Sequence, residues 1–586
     1  MCGFIGRVGS PSRPTRVAPD LRAGLRFLSR RGPDSARLWE SADHHASLLH
    51  ARLAIVDGDE RAHQPFVEHA SGVTIAFNGE IYNYRELRDE LRSYDFRTDS
   101  DTEVALAAYL VRGIAGFQCL RGMFAFAVAD PRTQRVFLVR DPIGKKPLYV
   151  AAWRNGTYFG SSVLALLAAS KLGARVRVPL REAYWQTGHA PSDIGILEGC
   201  DPVTPGQVLE LDWTGSVRGR HSCVPTDAAA TASFSVAEAQ ERFAILLAES
   251  VRRRLTNNPN PVCLLSGGID STVVAAELKR QGVGAAITLG AMVPLSKDER
   301  YARYAAWRLG MPLQVVRPQL AEFALEVEWA LDLQDEPLGI MAFFPLAVMV
   351  RAAREYGRIL ITGDGGDEVF LGYGRPADWL SGSATGREGT SAATDLGMRR
   401  LLPSWMSDWG RHTATDVLVG HMFTKLDRAT AEQGVEARCP LLDWDLLAFA
   451  RSLPPDVLFR NGRPKAVLRD HLTRWPGWFV HRRKVGFSYS LRWVWGARRY
   501  AGLRELIRPD TVNLFEHFLP TVLRQPPEHW RSRSIHTHFE SVWKLLCWSR
   551  FEERLLKAAS DVGDLPEVDR VAIRDHLAPA YSLPLS

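Results

Sequence analysis

The stretch Leu264-Leu265-Ser266-Gly267-Gly268-Ile269-Asp270-Ser271 limits what this chain can fold into more than any other. Pro261 to Leu265 is an apolar run of strand length, and Ser271 to Gln281 carries the Val, Ala and Leu spacing of a helix that Gly282 ends. Ser266-Gly267-Gly268 therefore falls on a strand-to-helix turn. There, glycine lets the backbone approach a ligand, and the free N–H groups and positive dipole end of the helix favour an anion such as a phosphate chain. Asp270 in the same turn would repel phosphate unless a cation lay between them. The combination points to a magnesium nucleotide, and the short loop without lysine separates it from a Walker loop.

A second constellation opens the chain. Met1-Cys2-Gly3-Phe4-Ile5-Gly6 places a cysteine behind the initiator, and a small second residue permits removal of Met1. One residue would then carry both a thiol and a free α-amine, and the amine can activate its own nucleophile. Four blocks follow. Arg31-Gly32-Pro33-Asp34 is the first, and the alternating strand His50 to Asp57 is the second. Ile75 to Asn83 contains Asn78-Gly79, a pair suited to turns with positive φ, and Thr98 to Glu103 caps an amphipathic helix from Val104. A glutaminase needs a nucleophile, donors for a tetrahedral oxyanion, a cation for the substrate carboxylate and an anion for its ammonium. The blocks hold each of these.

On these blocks, residues 2 to about 210 resemble a class II glutamine amidotransferase domain of the N-terminal-nucleophile hydrolase type. Ser266 to Ser271 matches the SGGxDS signature of the PP-loop ATP pyrophosphatases, and the whole chain resembles the glutamine-hydrolysing asparagine synthetase family. The resemblance implies an α/β and α+β chain of two domains: an αββα sandwich, then a doubly wound parallel-sheet PP-loop domain with added helices. The expected boundaries are 2–212 for the first domain, a Ser-, Thr-, Ala- and Pro-rich linker at 213–235, and 236–586 for the second.

The same resemblance assigns roles. Cys2 is the nucleophile, the Asn78 side chain and Gly79 backbone N–H form the oxyanion hole, Arg52 holds the α-carboxylate of glutamine, and Glu80 and Asp101 receive its α-ammonium. Leu264, Ser266, Gly267, Gly268, Asp270, Ser271, Leu289, Gly363 and Lys465 surround ATP, with Asp270 and Asp367 on Mg²⁺. Asp364 helps deprotonate the attacking amine. No organic prosthetic group is implied.

The second half supports this independently. Strands alternate with helices through Leu360, which argues a parallel sheet with its ligand at the carboxyl ends of the strands. Arg358 to Glu368 repeats the strand-then-glycine design with three acids, and acids beside a triphosphate make sense only with metal between them. Gly434 to Asp443 matches the GVEARxPFLD block of the family, and Gly462-Arg463-Pro464-Lys465 supplies its lysine, which would stabilise charge as pyrophosphate leaves. Arg482, Arg483, Lys484, Gly486 and Phe487 resemble its RPKKGF segment; contact with pyrophosphate and a surface role covering a helix both stay open for the arginines.

A net charge of +7 is spread along the 586 residues, so nucleic acid is not an expected partner. Pro337 to Val350, the most apolar stretch, is too short to span a bilayer, and no basic-then-apolar leader opens the chain. Seven scattered cysteines without a CxxC pair fit a reducing cytoplasm and no structural zinc. The expected partners are glutamine, ATP and an acceptor carboxylic acid, with a homodimer among the assemblies left open. An apolar internal passage is expected between the two sites, because ammonia attacks only in its neutral form.

The sequence departs from the family pattern after Asp335-Glu336-Pro337: the family commonly continues with an acidic residue and serines before a proline, whereas this chain runs Leu338 to Pro345 with apolar Ile340 and Met341 where small polar groups would touch a charged acceptor. A dicarboxylate needs polar partners, so these residues question aspartate as acceptor. Leu371 replaces a usual glycine after Phe370. Besides an amide synthetase, two readings compete: a ligase closing an internal amide, of the β-lactam synthetase or lasso-peptide cyclase type, and a non-catalytic scaffold. The first tends to lose the leading cysteine, and β-lactam synthetase has tyrosine in place of Asp364; intact Cys2, Asp270, Asp367 and Lys465 oppose the second.

Overall fold

The structure, a computed structural model, describes residues 1–10, 17–153, 156–170, 175–225, 234–255, 261–289, 297–317, 323–372, 417–461, 463–482, 501–531, 538–560 and 569–570. Contacts divide the chain into two units. One comprises Met1–Arg177, Asp193–Thr226 and Arg554–Ser586, the other Val178–Ser192 and Asp227–Glu553.

The first unit is built from β1 (Gly3–Gly9), β2 (Ser35–Glu40), β3 (Ala46–Arg52), β4 (Phe66–Val67), β5 (Thr74–Ile81), β6 (Gly122–Asp130), β7 (Arg135–Arg140), β8 (Tyr149–Trp153), β9 (Gly156–Gly160), β10 (Cys200–Pro202), β11 (Gln207–Asp212), β12 (Val217–Ser222) and β18 (Asp569–Arg570). One sheet runs β10-β8-β9-β1-β3-β2-β18 and the other β12-β11-β7-β6-β5-β4. Strand β6 shows why they stack. Its period of two sends Ala125, Ala127 and Ala129 into a core shared with Phe4, Val8, Leu48 and Phe159 of the first sheet. Phe124, Phe126 and Val128 point the other way, under the helices α2 (Tyr84–Glu90) and α3 (Asp101–Arg112). Small alanines inside let the sheets approach, and large aromatics outside fill the helix layer. On the opposite face, α1 (Val17–Leu25) packs on α4 (Val163–Ser170), so closely that a side chain at Gly24 would lie 2.8 Å from the carbonyl of Ala165. These layers make the αββα sandwich.

Beyond β9, two helices, α4 and α5 (Pro179–Thr187), interrupt the run of strands. Val163–Ser170 is buried throughout, so its composition lacks a helical stripe, and its signals are the Ser162 hydroxyl accepting from Ala165 N at 3.0 Å and three alanines. Asn78-Gly79 is not a turn: it lies inside β5, which runs on to Ile81.

The second unit holds a five-stranded, wholly parallel sheet in the order β15-β14-β13-β16-β17. Its strands are β13 (Val262–Leu264), β14 (Ala285–Leu289), β15 (Leu313–Val316), β16 (Ile359–Ile361) and β17 (Glu436–Arg438). Helices α6 (Val236–Leu255), α7 (Ile269–Arg280), α8 (Lys297–Leu309), α9 (Phe323–Leu331) and α10 (Phe343–Arg354) connect or cover them. The winding reverses between β13 and β16, and a crevice at the strand ends is expected at such a reversal. The turns after β13 and β16 are thereby neighbours. Beyond the sheet, the 22-residue helix Phe539–Ser560 buries Trp543 and Trp548, and Tyr184 of α5 donates to the carbonyl of Lys544 at 2.8 Å. Among the described residues no helix is long and apolar enough to cross a membrane.

Candidate active site

In the first unit, Cys2 leads into β1, which lies between β3 and β9. Its sulfur accepts from the backbone N–H of Leu53 at 3.3 Å, and the Arg31 Nε donates to its carbonyl oxygen at 3.4 Å. Arg52 ends β3 and is 5 % exposed, its guanidinium donating to the carbonyls of Asp57 and Asp59. Burial lowers its pKa, while Cys2, Asp57 and Asp34 pull the other way, so cation and thiol share one electrostatic neighbourhood. His50, two residues earlier, is fully buried and bonds the Phe77 carbonyl at 2.9 Å, tying β3 to β5. Burial holds it neutral, with its pKa brought down to about 3.

Strand β5 presents the most telling side chain. Asn78 is completely buried, yet among the described residues neither its amide nitrogen nor its amide oxygen has a hydrogen-bond partner. An unsatisfied buried amide costs about 1–3 kcal/mol, so a group kept that way is poised for something that arrives later. Gly79 follows at φ 155°, where a side chain would come within 2.1 Å of the Met123 carbonyl oxygen and 2.7 Å of the Phe124 Cα. Only glycine fits. Glu80 and Asp101 are both buried, and Asp101 accepts from the Ile81 N–H at 2.9 Å, which docks the start of α3 against the end of β5. Ser100 caps that helix through the Thr102 N–H.

In the second unit, the Ser266 and Ser271 hydroxyls meet at 3.0 Å across the turn after β13. Gly267 is left-handed at φ 74°, and a side chain there would strike the Ala302 nitrogen of α8 at 2.4 Å. Gly268 caps α7 without a side-chain bond, so the first-turn N–H groups stay available to an anion. Leu264 and Leu289 close β13 and β14. The second glycine turn packs directly on the first: a side chain at Gly363 would lie 2.6 Å from Ser271 N, and one at Gly366 2.5 Å from Asp270 Cγ.

Lys465 joins the two turns. Its Nζ lies 2.5 Å from Asp270 Oδ2 and 2.6 Å from Asp367 Oδ1. Burial works against its charge, but the carboxylates outweigh that and hold its pKa above the usual lysine value. The residue sits in the left-handed region at φ 58°, at the start of the helix Ala466–His471, a conformation that costs a non-glycine residue roughly 1–2 kcal/mol. Mg²⁺ takes hard oxygen donors, commonly one or two carboxylates with substrate phosphates completing the set. Asp270 and Asp367, already gathered around one cation, fit that donor set. Asp364 is half-buried, its N–H on the Thr362 hydroxyl at 3.4 Å.

The block Gly434–Asp443 acts as scaffold. Arg438 receives the Thr362 N–H on its carbonyl at 3.0 Å, Leu442 packs where a side chain on Gly365 would be, and Asp443 pairs with buried Arg254 at 2.7 Å. Leu371, in place of a glycine, sits at φ 59° and is fully buried, so packing offsets a strained backbone. Ile340 is buried and Met341 half-buried. Of the basic segment near 482, only Arg482 lies within the described residues, together with His481 before it. It stacks 3.7 Å over Tyr301 and 4.6 Å over Phe479 and donates to the Gly267 carbonyl, which brings it to the turn after β13. Gly462 and residues 483–487 lie outside the described residues. Two contacts at Cys2 carry no role in the sequence pattern, the Leu53 N–H and the Arg31 Nε, since a backbone donor leaves no side-chain signature and the Arg31 block is matched without a role for its arginine.

Comparisons with known proteins bear on the family of the chain. The family model of a glutamine amidotransferase domain matches residues 1–221, and that of asparagine synthase matches residues 242–555. A Mycobacterium tuberculosis protein whose given name assigns it provisionally to the glutamine-hydrolysing asparagine synthetases is 29 % identical, over 84 % of this chain and 88 % of its own. "Asparagine synthetase [glutamine-hydrolyzing] 1" of Bacillus subtilis is 25 % identical over 93 % and 95 %. "Amidase chry2" of Gibberella zeae is 28 % identical over 64 % and 59 %. Among solved structures, the glutamine phosphoribosylpyrophosphate amidotransferase of B. subtilis aligns with 62 % of this chain and 81 % of its own at 16 % identity and a TM-score of 0.29, too loosely to carry an argument. The chain belongs to the asparagine synthase family, as an enzyme that pairs a glutamine amidotransferase domain with an asparagine synthase domain.

Proposed function

We propose that this protein is a glutamine-dependent amide synthetase in which Cys2, freed by removal of Met1, hydrolyses glutamine and the second unit spends ATP to turn an acceptor carboxylate into an amide. The observation that carries this reading is the meeting of Asp270, Asp367 and Lys465 where the two glycine turns abut.

In the first half-reaction the Cys2 thiolate attacks the side-chain carbonyl of glutamine, its proton passing to the α-amine. The oxyanion takes hydrogen bonds from the Asn78 amide and the Gly79 N–H. Arg52 binds the α-carboxylate, and Glu80 with Asp101 the α-ammonium. Collapse, with the α-ammonium returning that proton to the departing nitrogen, expels ammonia and leaves a thioester, which water cleaves to glutamate. In the second, an acceptor oxygen attacks the α-phosphorus of ATP and pyrophosphate departs. Lys465 stabilises the charge that develops, and the turn of Ser266 to Ser271 cradles the phosphates. Mg²⁺, held by Asp270 and Asp367, would neutralise phosphate charge. Ammonia then displaces AMP, with Asp364 taking the proton lost by the attacking nitrogen.

The relatives carry asparagine synthesis in their names, which makes aspartate the reference acceptor, and buried Ile340 with Met341 favours a less polar acid here. The test supplies ATP, Mg²⁺ and glutamine with a panel of acids that includes aspartate, and follows pyrophosphate and glutamate. Acid-dependent pyrophosphate with matching glutamate supports the reading. Acid-dependent AMP without glutamate indicates a ligase closing an internal amide instead.

A further inference from the structure

Lys146 is completely buried, and nothing in the chemistry above uses it. Keeping an ammonium out of water is costly, so its position calls for a reason. The backbone around it is fixed: Asp141 accepts the N–H groups of Phe124, Ile143, Lys145 and Lys146 at 2.9–3.2 Å, and Arg140 donates to the carbonyls of Gly144, Lys146 and Val203. From this frame the Lys146 Nζ reaches the sulfur of Met1, a residue only 3 % exposed. A methionine sulfur lies no more than about 6 Å from the nitrogen of the next residue. Removal of Met1 therefore uncovers a buried ammonium close to the new α-amine of Cys2.

That amine must be neutral to take the thiol proton, yet an ordinary α-amine, with a pKa near 7.7–8.0, is mostly protonated at pH 7. A neighbouring like charge disfavours the protonated form. We propose that Lys146 is a positioning residue of the glutaminase, its ammonium keeping the Cys2 α-amine in the basic, uncharged state. The inference rests on reading Cys2 as the processed nucleophile. Two cations stand at that position, Arg31 on the Cys2 carbonyl and Arg52 beside the thiol. Asp141 is held by four backbone N–H groups, Asp34 accepts the Ala54 N–H at 2.8 Å, and Asp34 and Asp57 both act on Arg52. His50 adds no charge at neutral pH.

The experiment compares full-length wild type, Lys146→Met and Lys146→Arg, each confirmed by mass to lack Met1. The acidic limb of kcat/KM for glutamine is followed together with the ¹⁵N shift of the labelled cysteine α-amine. In Lys146→Met both midpoints should move up by on the order of one pH unit, and Lys146→Arg should restore them. Far-ultraviolet circular dichroism and the melting temperature report that the variant is folded. An amine that titrates at the same pH in wild type and Lys146→Met overturns the proposal, whatever the rates. A processed wild type that hydrolyses no glutamine instead overturns the reading of Cys2 beneath it.

Discussion

Lys465 Nζ and Asp270 Oδ2 stand 2.5 Å apart although 195 positions separate them in the chain. Both lie at the carboxyl ends of a parallel sheet, and the second carboxylate, Asp367, comes from the neighbouring turn. The lysine thus holds the acids together and is placed to meet a phosphate. Lys465→Met should lower acid-dependent pyrophosphate release by at least about 100-fold, the scale of losing one preorganised transition-state donor. Glutamine hydrolysis in the same protein should persist, as a glutamate assay will show.

Among the described residues the Asn78 side chain makes no hydrogen bond that its removal would break. Asn78→Ala should therefore reduce glutamine hydrolysis by about 100- to 1,000-fold with little change in melting temperature. Ammonia-dependent synthesis should continue. A large loss of stability would mean that the amide serves the fold instead of the oxyanion.

Gly79→Ala should behave differently from its neighbour. Its new carbon would meet the Met123 carbonyl oxygen at 2.1 Å, and backbone cannot move aside as a flexible side chain can. Calorimetry should show the first unit destabilised by several kcal/mol, with glutaminase lost along with it.

His50 supplies a pH dependence. Its folded pKa, about 3, is depressed below the ordinary histidine value of 6.5, so the unfolded chain binds the proton more readily. Its contribution is present above pH 6.5 and is lost progressively as pH falls toward 3. His50→Gln, which keeps a donor for the Phe77 carbonyl but does not titrate, should melt with a flatter acid dependence than wild type across that window. Identical slopes in the two proteins would assign the acid sensitivity to other groups.

Much of the fold was legible because its patterns are periodic. The Ala-in, Phe-out alternation of β6 and the strand, glycine, helix sequence around Ser266 each state their structure locally. Where burial is complete the signal fades: Val163–Ser170 has no polar face, so no helical period marks its helix. Asn78-Gly79 misled in another way, since a dipeptide suited to turns is placed inside a strand by pairing with Phe124 and Ala125. Arg482 could not be placed from sequence, because its site depends on Tyr301 and Phe479, residues far apart in the chain. The resemblance named the residues of both sites. What it left out was the lysine bridging Asp270 and Asp367, the unpartnered Asn78 amide and the strained backbone of Leu371.

Glutamine labelled with ¹⁵N in its side chain puts the coupling of the two units to a direct test, with the amide product weighed by mass spectrometry. With ATP, Mg²⁺ and the preferred acid, wild type should yield one ¹⁵N-amide for each pyrophosphate released. Cys2→Ala should yield none, while still forming the amide from free ammonia. Transfer of the label by Cys2→Ala, or pyrophosphate release that never leads to an amide from either nitrogen source, would contradict a thiol at residue 2 feeding a carboxylate activated beside Asp270 and Lys465.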